Sequence, residues 1–251
     1  MNLIWQDTGS GSDVVVLLHP SGVGPAGFGS LPERLAATRR VLVPWMPGYG
    51  PAAAMAPCTA ASLDEQLTSD LAALGVRRAS LLGYSIGGYR ALRLALSGGL
   101  DVPRVLCLAG FAELSSAEKE GLVGAGAALA NPGVLRAIAT TFLAPAYAAS
   151  HPAAIDGIQG WLEAMPVEGI AAELRSLADL ESVLARVGKL GDRLRLRSGD
   201  ADLSVPVSHS RDLHAAAPGS ELAVVAGAGH ALFVEDERDT LAWIERALSG
   251  A

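Results

Sequence analysis

The sequence predicts an α/β domain: a mostly parallel central sheet flanked by helices, with a helical segment inserted between two strands. Three observations carry this. Short apolar runs, several of them rich in β-branched residues, recur through the first 110 residues and again near the C-terminus. Such runs mark strands buried on both faces, as in a parallel sheet covered by crossover helices. Helix-like stretches separate them, which implies βαβ units. From residue 111 to 188 the alternation stops, and the chain is Ala-rich and helical in pattern.

Residues 14–18 form the first strand, and residues 41–43, 79–82 and 105–109 repeat the pattern. Helices are expected over 28–37, 63–74 and 86–97. In the second of these Leu63, Leu67, Leu71 and Leu74 recur at helical spacing, with Asp64, Glu65 and Asp70 between them. Ser62, followed three residues later by Glu65, reads as the capping box that opens this helix. Pro132, Pro145, Pro152 and Pro166 divide the insert into short helices. Strand signals return at 194–197 and 222–225, and a last helix is expected over 238–248. The expected organisation is one core built from 1–110 and 189–251, with 111–188 as a helical cap over the edge where the strands end.

Bulk properties narrow the function. The chain has 251 residues, half of them hydrophobic, enough for one large domain with a sizeable core. A net charge of −7, with no clustered Lys or Arg, argues against a nucleic-acid partner. No run of about 18 apolar residues suggests a membrane span, and the first residues lack the basic-then-apolar pattern of a signal peptide. Cys58 and Cys107 form no C-x-x-C pair and no disulfide framework, so a reducing, cytoplasmic setting is expected. No histidine lies in a metal-ligand spacing, and neither a metal nor another cofactor is expected.

The chemistry concentrates at Gly83-Tyr84-Ser85-Ile86-Gly87, which follows a strand and precedes a helix. This is G-x-S-x-G in the setting that gives it meaning: a tight turn that holds a serine hydroxyl up at the N-terminus of a helix. The Ile86 amide there is a candidate oxyanion donor. A serine hydroxyl needs a base, and His230, in the small-residue loop Ala226–His230 before the last helix, is the candidate. His151, His209 and His214 read as surface or packing residues. The imidazole in turn needs a carboxylate. Asp200 and Asp202 both follow a strand; Asp202 is preferred because Asp200 is close enough to the turn to cap it, and Glu113 is the outside candidate. Ser21 is the candidate for a second oxyanion amide, since Pro20 has no N–H, and His19 is expected to brace that loop.

These motifs resemble the α/β-hydrolase superfamily along nearly the whole chain outside the insert. The resemblance rests on Leu17-Leu18-His19 with its glycine loop, Pro47-Gly48-Tyr49-Gly50, Gly83 to Gly87, Gly199-x-x-Asp202 with Val205-Pro206, and Gly227-x-Gly229-His230. It implies the α/β-hydrolase fold and the order Ser85, Asp202, His230, and its acid position strengthens Asp202. The insert resembles the helical cap of small esterases, enol-lactone hydrolases and carbon–carbon bond hydrolases. Two departures stand out: Pro20 follows His19 where the family usually has glycine, and Trp45 stands where it usually has aspartate.

The expected activity is hydrolysis of a carboxylic ester, or a related thioester or lactone, of a small and largely apolar substrate. Tyr84, Trp45, Phe111, Phe142 and Trp161 are candidates for contact with that substrate, and Leu135, Ile138, Tyr147, Leu162 and Met165 are the other large side chains of the insert. The same three catalytic residues would also serve a carbon–carbon bond hydrolase, a lyase or an acyltransferase, and the fold would also serve a ligand-binding protein. A dinucleotide-binding domain is excluded because no G-x-G-x-x-G follows the first strand. The chain is expected to be a monomer or homodimer.

Overall fold

The six runs expected as strands pair, with one further strand at the edge, into one seven-stranded sheet. The computed structural model describes residues 2–55 and 58–249; Met1, Gly250 and Ala251, at the ends of the expected core, and Ala56 and Pro57 lie outside them. The strands are β1 (Ile4–Gly9), β2 (Val14–Leu18), β3 (Arg40–Trp45), β4 (Ser80–Tyr84), β5 (Val105–Leu108), β6 (Leu194–Gly199) and β7 (Glu221–Val225). Their order across the sheet is β1-β3-β2-β4-β5-β6-β7. Only β1 runs antiparallel to its neighbour, with Ile4 opposite Trp45. The others are parallel, so the loops after β2, β3, β4, β6 and β7 all emerge at one edge.

Every residue of β2, β4 and β5 is buried, as continuous apolar strands require. Side chains alternate across a strand: Val14, Val16 and Leu18 face one core cluster, Val15 and Leu17 the other. Helices α1 (Leu31–Ala36), α2 (Ala60–Ala73) and α3 (Ile86–Ser97) follow the early strands. Between β5 and β6 come α4 (Ser116–Ala128), α5 (Pro132–Thr141), α6 (Pro145–Ser150), α7 (Pro152–Glu163) and α8 (Val167–Ser176); α9 (Val207–Ala216), α10 (Leu232–Glu235) and α11 (Glu237–Ser249) complete the chain. α1 and α11 cover one face of the sheet, and α2, α3 and α9 the other. The insert packs α4 on α8 and α5 on α7, and its leucines join the cluster of α2 and α3.

The prolines divide the insert as expected. Pro132, Pro145 and Pro152 stand in the first turns of α5, α6 and α7, and Pro166 is the residue before α8. The first turn tolerates proline because its amides have no helical acceptor. Two expected helix starts are corrected. Thr59 caps α2 by accepting the Ser62 amide, so Ser62 lies inside the helix and the Ser62–Glu65 box does not form. A reciprocal capping box forms instead at α4, between Ser115 and Glu118. The helix expected over 28–37 is shorter: Phe28 closes a 3-10 turn, Gly29 adopts φ 53°, and α1 starts at Leu31.

Asp70, one of the charges interleaved in α2, is 3% exposed. Its Oδ2 accepts the Leu3 amide at 2.8 Å and Trp5 Nε1 at 3.2 Å, and its Oδ1 accepts Gln66 Nε2 at 2.6 Å. It therefore fastens the start of the edge strand β1 to the helix beneath. Asp70→Ala leaves these donors without an acceptor and should cost about 2–3 kcal/mol, read as a lower urea midpoint; a loss within about 0.5 kcal/mol, the usual range of a surface substitution, would contradict this role.

Candidate active site

Five loops meet at the carboxyl edge of the sheet, and the sharpest carries Ser85. It joins β4 to α3 with φ 57° and ψ −124°, a sparsely populated backbone region for a residue with a Cβ. The neighbouring backbone enforces it. A Cβ on Gly83 would lie 2.0 Å from the Gly87 carbonyl oxygen, and one on Gly87 would lie 1.8 Å from that of Leu18. No residue but glycine fits either place. The Ser85 amide donates to Leu108 O at 2.8 Å, which ties the turn to β5. Ile86 is the first residue of α3, so its amide is one of those the helix leaves without an internal acceptor.

Asp202 lies in the loop after β6 and His230 in the loop after β7. Gly199 lets the two loops touch, because a Cβ there would meet the Ala228 oxygen at 2.1 Å. His230 Nδ1 and Asp202 Oδ2 are 2.7 Å apart, with side chains 3% and 0% exposed. Asp202 Oδ1 accepts the Ser204 and Val205 amides, each at 2.8 Å. A carboxylate only accepts, so Nδ1 carries a ring proton, which in a neutral imidazole leaves the free lone pair on Nε2. The other two carboxylates are engaged elsewhere. Asp200 Oδ1 accepts the Gly227 amide at 2.7 Å, and the exposed Glu113 accepts Ser182 Oγ at 2.6 Å.

His19 is fully buried. The Met46 amide donates to its Nε2 at 3.2 Å, and its Nδ1 donates to Pro20 O at 2.9 Å. The ring thus braces the loop after β2, and burial pushes its pKa down to about 4. On the same loop the Gly22 amide donates to the Tyr49 hydroxyl at 2.9 Å.

Ser21, Ser85, Ile86 and His230 line one cavity of about 360 Å³, within the range of small-molecule sites. Phe111 and Phe142 line it, as do Ile138 and Leu162 from the insert. Tyr84 does not; its ring stacks under His230 at 5.4 Å and its hydroxyl donates to the His230 carbonyl oxygen. Trp161 lines a separate cavity of about 20 Å³ with Tyr84. Trp45 lines neither: its ring lies against the Gly24 and Gly50 turns, where a Gly50 Cβ would come within 2.4 Å of it. Tyr84, Trp161 and Trp45, expected to contact the substrate, thus lie outside the lining of the main cavity, and their rings pack against the core clusters. His209, expected at the surface or in packing, does line the main cavity, with Nε2 2.7 Å from Glu118 Oε1. Glu118 reaches the cavity from the first turn of α4. Among the described residues lining this cavity there is no Lys or Arg.

The model of the alpha/beta hydrolase family matches residues 15–243. The chain belongs to the alpha/beta hydrolase family. Among curated relatives, the 2-hydroxy-6-oxononadienedioate/2-hydroxy-6-oxononatrienedioate hydrolase of Burkholderia vietnamiensis is 34% identical over 42% of this chain. That match spans only 39% of the relative. The pimeloyl-acyl-carrier-protein methyl ester esterase of Vibrio atlanticus is 28% identical over 93% of each chain. In three dimensions, an esterase from Thermogutta terrifontis superposes with a TM-score of 0.87 at 22% identity, over 99% of this chain and 93% of its own. This α/β hydrolase holds Cys107 buried, with its thiol pushed up to about 12 by that burial, and Cys58 exposed. Among the described residues no group of acidic, His or Cys side chains has a metal-holding arrangement, and no helix is long and apolar enough to cross a membrane.

The buried His19 makes stability depend on pH. The folded state keeps the ring neutral down to about 4, whereas the unfolded chain takes up a proton from about 6.5 downward. Protons therefore favour unfolding in that window, by up to roughly 3 kcal/mol at the acid end. Urea midpoints should fall more steeply between these pH values for the wild type than for His19→Asn. Parallel pH profiles would contradict this.

Proposed function

We propose that this α/β hydrolase is a serine hydrolase that cleaves a carboxylic ester, or a related thioester or lactone, of a small apolar acyl group through an acyl-enzyme at Ser85. One observation carries the reading: His230, held by Asp202 at 2.7 Å, lines the same cavity as Ser85. Ser85 Oγ gives its proton to His230 Nε2 as it attacks the carbonyl carbon. The amides of Ile86 and Ser21 hold the resulting oxyanion. Collapse of the tetrahedral intermediate expels the alcohol with the proton from His230. Water, deprotonated by His230, then releases the acid and restores Ser85. Asp202 fixes the tautomer and stabilises the imidazolium.

Within residues 20–22 elimination supports Ser21, since Pro20 has no N–H and the Gly22 amide is bound to Tyr49. The insert acts as the cap that supplies the acyl pocket, with Phe111 and Phe142 as substrate contacts. An uncharged acyl group suits a cavity that no Lys or Arg lines and whose Glu118 carboxylate is already paired with His209. The ester reading is supported by the methyl ester esterase relative that matches along 93% of the chain. The relatives named as oxononadienedioate hydrolases act on dicarboxylates by name, for which this cavity offers no Lys or Arg.

Intact mass after incubation with a fluorophosphonate tests this. One adduct is expected on the wild type and none on Ser85→Ala, whose ester hydrolysis should fall by more than about 10³-fold. A folded wild type that takes up no probe would sink the acyl-enzyme.

A further inference from the structure

Behind the loop that carries Ser21, three side chains from distant parts of the chain form one buried series of hydrogen bonds. Tyr49, in the loop after β3, is fully buried. Its hydroxyl accepts the Gly22 amide at 2.9 Å and lies 3.2 Å from Ser21 Oγ. The same hydroxyl donates to Oε2 of Glu173. Glu173 belongs to α8 of the insert, and its side chain is 4% exposed. Its other oxygen, Oε1, accepts Arg90 Nη2 at 2.6 Å. Arg90 belongs to α3, the helix that starts just after Ser85.

A carboxylate this deep is stable only when paired and hydrogen-bonded. Burial alone would raise the Glu173 pKa, but the Arg90 charge and the hydroxyl bonds outweigh it and leave the carboxyl below its usual range. Burial, together with the Glu173 charge, keeps the Tyr49 phenol well above its usual value. The phenol therefore stays protonated and points its O–H at Glu173. That leaves its oxygen lone pairs to face the loop, where Gly22 N–H meets them. Each bond fixes the direction of the next.

The placement beside Ser21 gives the series its meaning. The loop is held by His19 at Pro20 on one side and by Tyr49 at Gly22 on the other. The Ser21 amide lies between these two anchors. We propose that Tyr49 and Glu173 are positioning residues for the Ser21 oxyanion donor, so that helix α8 of the insert sets the geometry of the reacting site. This rests on the serine-hydrolase reading above. Tyr49 and Glu173 touch no substrate; they act through the loop.

A merely structural cluster would lower stability and leave turnover per folded molecule unchanged. A positioning role separates kcat from KM, because a displaced donor is missed mainly in the transition state. Tyr49→Phe removes one oxygen atom and should lower kcat about 10- to 100-fold, since small misplacements carry losses of that order. KM should stay within about threefold. Glu173→Gln keeps an acceptor for the phenol and should lose less, a partial rescue by the conservative variant. On the same proteins, NMR hydrogen exchange at the Gly22 amide should be faster in Tyr49→Phe, a readout that needs no turnover. Wild-type kcat in folded Tyr49→Phe would overturn the proposal, as would unchanged exchange at Gly22. A wild type that a fluorophosphonate leaves unlabelled counts against the hydrolase reading alone, and the exchange measurement still decides whether Tyr49 fixes the loop.

Discussion

The site depends on the hydrogen bond between His230 and Asp202. It spans two loops that follow different strands, and the carboxylate it uses has no exposed surface. An ionised carboxylate in such a place is strongly disfavoured unless its oxygens are satisfied. Here one oxygen meets the imidazole and the other meets two backbone amides. The Gly199 contact with Ala228 closes the gap between the loops, and Tyr84 supports the His230 ring from below. The insert is fastened to the same place, since Ala231 N donates to Phe142 O at 2.7 Å, and Gly229 and Ala144 both donate to Glu235.

Sheet order does the rest. Parallel strands send β2, β4, β6 and β7 to one edge, so residues far apart in sequence arrive together without any long excursion of the chain. The elbow at Ser85 is strained, and it persists because the glycines on either side let β2 and α3 close upon it. His19 and Tyr49 hold the opposite wall. Pro20 is thereby accommodated: the loop takes its shape from two side chains behind it and not from a glycine at that position.

Much of this was legible in the sequence, for physical reasons. Close backbone approach leaves no choice but glycine, so Gly83 and Gly87 announce the elbow around Ser85. Helix-breaking prolines announce the divisions of the insert. Strand β1 was not legible, because at the sheet edge it carries Gln6, Asp7 and Thr8 on largely exposed positions and shows no apolar run. The start of α2 was misread because Thr59 and Ser62 are both capping residues and only backbone geometry chooses between them. Trp45, Tyr84 and Trp161 look alike to a reader of sequence. Whether an aromatic ring lines a cavity or fills a turn depends on the neighbouring backbone, and that is a tertiary property. The places of His209 and Glu173 were equally hidden, since the contacts of each are with partners from distant elements.

The most direct test of the central bond is the rate at which a fluorophosphonate or an activated ester reacts with Asp202→Asn. An amide at this position keeps the volume and the loop contacts but turns the imidazole tautomer against its task. A loss of about 10⁴-fold at neutral pH is expected, with the fold and thermal midpoint little changed. A variant that reacts at the wild-type rate would contradict it and remove His230, as held by Asp202, from the chemistry of Ser85.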